Sequence, residues 1–182
     1  LVYDNLLVYT GEGDLVNGLA ESWEATGPTT YVYTLREGVQ FSDGTAVTPE
    51  DVKFSIDMQS DETVASKGSF LFENVESVTV DGNDIIIELI APDSLWKFIP
   101  SHMMTFIVSQ AEVEANLAAY GTPEHFPLGS GPYMVTEFVP DSHISMERNP
   151  YYSGDEPVFD TLRFPIIPDP QTRFLAMQNG DI

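Results

Sequence analysis

The 182-residue sequence contains no cysteine. That excludes disulfides, thiolate metal ligands and a cysteine nucleophile. Basic residues are scarce: seven Lys and Arg face 29 Asp and Glu, a formal net charge of −22. A chain this acidic is repelled by a phosphate backbone and by an anionic membrane face, which argues against nucleic-acid binding and surface attachment to lipid. No apolar run approaches the roughly 18 residues of a membrane-spanning helix, and no signal-peptide pattern is visible. Internal repeats and low-complexity tracts are also missing. What remains is globular: 42% hydrophobic and 12% aromatic residues can build a core at this length.

The acids are scattered along the chain, the pattern of a solvated acidic surface. Such a surface repels itself and is relieved by screening. The melting temperature is therefore expected to rise from low to molar salt. A flat or falling value over that range would contradict this reading.

The densest local information lies in residues 31–55. Tyr31, Tyr33 and Leu35 alternate with smaller or polar residues, the period of a half-buried strand. Ser42-Asp43-Gly44 is turn chemistry, with Gly44 free to take a positive φ. Thr48 then precedes Pro49, Glu50 and Asp51, the signature of a capped helix start. Asp51 stands three residues after Thr48, where a capping-box acid reaches back to the cap amide.

Elsewhere the pattern predicts a strand or short helix within residues 1–10 and a Trp-anchored strand over Leu19–Ala25. That strand should pair with Tyr31–Leu35 across Gly27-Pro28. A helix is expected over Pro49–Met58 and a hairpin over Val75–Val80 and Ile85–Ile90, closed by Asp81-Gly82-Asn83-Asp84. A short helix near Ser94–Ile99 and a helix over Ala111–Tyr120 ended by Gly121 follow, with Pro123–Pro127 as linker. After Gly129 come a hairpin over Tyr133–Phe138 and Ile144–Arg148, a strand over Leu162–Ile167 and a helix over Gln171–Gln178.

Leu19-Ala20-Glu21-Ser22-Trp23, Leu35-Arg36-Glu37-Gly38-Val39, Asp43-Gly44-Thr45 and Asp51-Val52-Lys53-Phe54-Ser55 occur in that order. Gly129-Ser130-Gly131-Pro132-Tyr133, Arg148-Asn149-Pro150-Tyr151-Tyr152, Thr172-Arg173 and Gly180-Asp181-Ile182 follow them. Together they resemble the family 5 extracellular solute-binding proteins of ABC importers, which carry peptides, nickel and related solutes. The resemblance implies an α+β fold with mixed or antiparallel sheets and flanking helices, part of one lobe of a type II periplasmic-binding-protein-like fold. It places residues 1–128 in the small subdomain of the first lobe and 129–182 at the start of that lobe's core, with the second lobe absent. The chain opens on Leu1 and stops within the last motif, which leads to the expectation of a piece of a longer protein. The resemblance further implies an extracytoplasmic location, periplasmic or lipid-anchored, and two partners: a small solute, foremost a peptide, and membrane permease subunits. No cofactor, no metal and no catalytic residue is expected. Trp23, Arg36, Gly44, Asp51, Gly129, Gly131 and Tyr133 are expected to hold the fold, with Arg36 pairing with an acid at its strand end.

Other chemistry is weaker. Asp81–Asp84 lacks the spacing and closing Glu of a calcium loop and reads as a turn. Gly129-Ser130-Gly131 is followed by no Lys-Ser/Thr, and Pro132 removes an amide donor, so it reads as a bend rather than a phosphate loop. His102, His125 and His143 have no metal-ligand spacing. The segment Trp96–Phe106 stands out for aromatic and methionine content, and the resemblance puts it near a cleft edge. Adaptable Met and flat aromatic surfaces suit varied ligands, which makes His102, Met103, Met104, Phe106 and Phe70 the candidate ligand contacts. Packing within the subdomain is the competing reading. Two other classes stay open: an extracellular hydrolase with a carboxylate pair, and a structural interaction domain with an exposed apolar face.

Overall fold

The computed structural model of the chain describes residues 1–61, 64 and 66–182. It contains nine strands and three α-helices among the described residues. β1 (Leu7–Tyr9) and β2 (Leu15–Asn17) form a small antiparallel pair, with Leu7 opposite Asn17. β3 (Ala20–Ala25), β4 (Thr30–Leu35), β5 (Val75–Asp81) and β6 (Asp84–Leu89) form an antiparallel sheet in the order β3-β4-β6-β5. β7 (Tyr133–Val139), β8 (His143–Arg148) and β9 (Thr161–Pro165) form a third sheet, also antiparallel. The antiparallel sheets and flanking helices agree with the predicted α+β class.

Alternation decides the central sheet. Tyr31, Tyr33 and Leu35 of β4 face inward beside Ile85, Ile87 and Leu89 of β6, all buried. Tyr31 stands opposite Ile87 and Tyr33 opposite Ile85, cross-strand pairs of the kind that stabilise sheets. Trp23 lies half-buried across from Tyr33, ring centroids 6.2 Å apart and nearly parallel. The β5–β6 hairpin closes with Asp81 opposite Asp84 and Gly82 at φ 61, a turn as expected.

α1 (Pro49–Ser60) packs on β5 and β6. Its start is a capping box: the Thr48 hydroxyl accepts from Asp51 N–H at 3.2 Å and Asp51 accepts from Thr48 N–H at 2.9 Å. Its buried stripe is Val52, Ser55, Ile56 and Gln59, while Phe54 and Met58 are only half-buried. Ser55 can face the core because its hydroxyl donates to Asp51 O and accepts from Val108 N–H.

Four expectations are corrected. α2 spans Gln110–Asn116 and does not reach Tyr120. The Ala119 and Tyr120 amides both turn back to Asn116 O at 2.8 Å, while the Tyr120 hydroxyl is engaged by Tyr3 and Leu128 O. Gly121, at φ 74, belongs to the turn after the helix and does not cap it. The segment 123–127 is more than a linker, since His125 contacts Glu112 of α2. Among the described residues Arg36 finds no acid: its guanidinium donates to Gly18 O at 3.3 Å. The short helix near residue 94 is a 3₁₀ segment over Trp96–Ser101, delayed because Asp93 accepts from Leu95 N–H at 2.8 Å.

The second half attaches through the glycine motif. Gly131 N–H donates to Val2 O and Tyr133 N–H to Leu1 O, so the N-terminal segment lies along residues 129–133. A Cβ on Gly131 would stand 2.5 Å from Leu1 O. Asn149 donates to Gly131 O at 2.8 Å and Tyr133 to Phe159 O at 3.0 Å. Tyr151 packs onto Gly44, where a Cβ would fall 2.9 Å from its ring; Gly44 also carries φ 87. α3 (Pro170–Asn179) starts on Asp169, which accepts from Thr172 N–H at 2.7 Å, and ends at Gly180 with φ 78. No helix among the described residues is long and apolar enough to cross a membrane.

Candidate functional site

The predicted contact region does not converge as a whole. Met104 and Phe106 line a recess of about 280 Å³ with Met58 and Gln59 of α1, Lys67 and Gly68. His102, Met103 and Phe70 do not line it. Met103 is 81% and Phe70 58% exposed. The His102 ring bends back on the chain, its Nδ1 accepting from Met104 N–H at 3.2 Å. Thr105 is buried and donates to Ile99 O, which fixes the turn that sends Met104 and Phe106 to one side.

The recess has a firm floor. Phe106 stacks on Tyr3 at 4.5 Å with an interplanar angle of 21°. Tyr3 hydrogen-bonds to Tyr120 through their hydroxyls at 3.3 Å. Burial pushes both phenols above the ordinary tyrosine range, so both stay neutral at any physiological pH. Gly68 fits closely: a Cβ there would sit 3.1 Å from Met104 Cβ and 3.2 Å from Gln59 Oε1. The walls include two methionines, a valine and an aromatic ring, with one ammonium, one hydroxyl and one carboxamide. That combination accepts an apolar side chain next to a carboxylate or carbonyl. Lys67 and Gln59 were not named from sequence; an isolated lysine in a loop carries no local signal of where it points.

A larger groove of about 440 Å³ runs between the starts of α1 and α2, lined by Asp43, Glu50, Asp51, Glu112 and Glu114 among others. Its buried acid, Asp51, is fully engaged by Thr48 and by Gln110 N–H. This groove is a structural joint. Among the described residues no three His, Asp or Glu gather as metal ligands. The histidines stand apart: His125 contacts Glu112, and His143 bonds Glu137 at 2.7 Å and Ser142 at 2.9 Å. The hydrogen bond from His143, ahead of smaller causes, holds the Glu137 carboxyl below its ordinary range.

Residues 14–182 match the family described as bacterial extracellular solute-binding proteins, family 5 middle. The dipeptide-binding protein of Escherichia coli K12 is 31% identical over 99% of this chain and 38% of its own length. Heme-binding protein A of Haemophilus influenzae is 32% identical over 98% of this chain and 37% of its own length. The structure of Haemophilus influenzae OppA in complex with the peptide RPPGFSPFR superposes with a TM-score of 0.89 at 25% identity, covering 100% of this chain and 39% of that one. The chain thus spans less than two-fifths of the relatives it matches. With the family's motifs set at the joints of the fold, and its pattern matched from residue 14 to residue 182, the chain belongs to the family 5 bacterial extracellular solute-binding proteins.

Proposed function

We propose that this chain is part of the solute-capturing component of an ABC importer, which takes up a peptide or similar small solute outside the cytoplasm and hands it to a membrane permease. The observation that carries this reading is the family match over residues 14–182. Relatives named for dipeptide and heme binding, and a peptide-bound structural relative, favour a binding role over the hydrolase and interaction-domain readings. Capture makes and breaks no bond, so the chain needs no catalytic residue and no cofactor. We assign 1–128 to the small subdomain of one lobe and 129–182 to the start of that lobe's core. The opposing lobe lies in the part of the relatives that this chain does not cover. Closure of two lobes around a hinge then traps the solute, at the periplasmic or outer face of the cell membrane.

On this assignment the recess beside Met104 and Phe106 is one wall of the cleft, and it receives an apolar side chain of the solute. In the full-length gene product, Met104→Ala is expected to weaken peptide binding by about tenfold, the scale of one buried contact residue. His102→Ala should have a smaller effect, because its ring faces away from the recess. Isothermal titration with dipeptides measures both. Unchanged affinity for both variants removes this wall from the site.

A further inference from the structure

A second recess, of about 160 Å³, shares no lining residue with the first. Asp4, Val8, Asn17, Leu19, Arg36 and Tyr152 line it. Asp4 lies in the segment before β1, held by Ile107 N–H on its carbonyl. Its side chain is mostly buried, yet no hydrogen bond or ion pair among the described residues takes it up. Burial pushes the carboxyl from 3.8 up to about 6. Among the described residues Arg36 uses a single donor, on Gly18 O, and leaves the others open. The Tyr152 hydroxyl has no hydrogen-bond partner among the described residues. Gly154 keeps this wall in place: a Cβ there would sit 2.5 Å from Tyr152 Cζ.

Seven basic residues serve 29 acids in this chain. Arg36 is exposed and spends one donor on Gly18 O, while Asp4 is mostly buried without a partner among the described residues, so both keep hydrogen-bonding capacity for a ligand. The two groups supply opposite charges to one small space. Asp4 accepts from a cation, Arg36 and Tyr152 donate to an anion, and Val8 and Leu19 add apolar wall. The volume is that of about five water molecules, enough for a molecule of about six heavy atoms and too small for a dipeptide.

We propose that this recess binds the zwitterion of a single small amino acid, its ammonium on Asp4 and its carboxylate on Arg36 and Tyr152. The test is an amide-resolved NMR titration of the 182-residue chain near neutral pH with L-alanine, propionate, ethylamine and the dipeptide alanylalanine. L-Alanine should give saturable shifts at Asn17, Gly18 and Gly154. Propionate and ethylamine, each lacking one charge, should bind about tenfold more weakly or worse, the scale of a lost charged hydrogen bond. Alanylalanine should leave these amides unmoved. Asp4→Asn and Tyr152→Phe should each weaken L-alanine by about tenfold, and Asp4→Asn folds readily because it removes a buried charge. Absence of saturable L-alanine shifts overturns the proposal. So does equal binding by the single-charge probes or the dipeptide, or undiminished binding by Asp4→Asn. Because the two recesses have separate linings, failure here leaves the Met104 site untouched.

Discussion

Gly129→Ala is expected to destabilise the chain by about 3 kcal/mol, the upper range for forcing atoms into packed space. A Cβ at this position would overlap the Val2 carbonyl oxygen and stand 2.7 Å from its carbon. The obstacle is backbone on both sides, so no side-chain rotation relieves it. The Gly131–Val2 and Tyr133–Leu1 hydrogen bonds, 2.8 and 3.0 Å, would have to lengthen together. Gly129 O also accepts from Ser42 N–H at 2.9 Å, so the turn after β4 shifts as well. Gly11→Ala is the control: nothing lies within 4 Å of its added Cβ. Urea unfolding of the two variants should separate them clearly. Equal midpoints would show that residues 129–133 do not hold the N-terminal segment.

Asp51→Ala should lose a comparable amount, on the order of 3 kcal/mol, by a different route. The Asp51 carboxylate accepts from three donors: Thr48 N–H, the Thr48 hydroxyl and Gln110 N–H at 2.8 Å. Alanine removes a helix cap, worth about 1 kcal/mol. It also leaves the part-buried Thr48 and Gln110 amides without this acceptor, at up to roughly 1–3 kcal/mol each. The Gln110 bond ties the start of α1 to the start of α2, so α2 should loosen together with α1. Asp57→Ala supplies the contrast. Its pair with Lys53, 2.6 Å, is about half exposed on both sides, and such pairs contribute well under about 1 kcal/mol. Amide hydrogen exchange in α2 distinguishes the cases. Fast exchange at Gln110 in Asp51→Ala only is expected, and protection equal to the parent chain would refute the joint.

The hairpins and helix starts were legible because their signals are local. Alternation at Tyr31, Tyr33 and Leu35, the turn at Asp81–Asp84 and the Thr48–Asp51 box each lie within a few residues. The β1–β2 pair was half hidden, since Leu15–Asn17 is three residues long and shows no period. The end of α2 was misread because Tyr120 is drawn off the helix by Tyr3, 117 residues away in sequence. Asp51 was read as a cap, but its reach to Gln110 spans 59 residues. The same limit governs the sites. Adjacent Met103 and Met104 look equivalent in sequence, yet one is exposed and the other lines a recess. Asp4, Arg36 and Tyr152 meet only after three separate segments fold together.

The central claim is that this chain serves a solute-capturing protein. Mass spectrometry of the natural full-length gene product, purified under native conditions from its own host, tests it most directly. The account predicts one bound peptide or similar small solute per protein, released on unfolding and restored by titration with dipeptides. A protein that carries no solute and binds none on titration would contradict it.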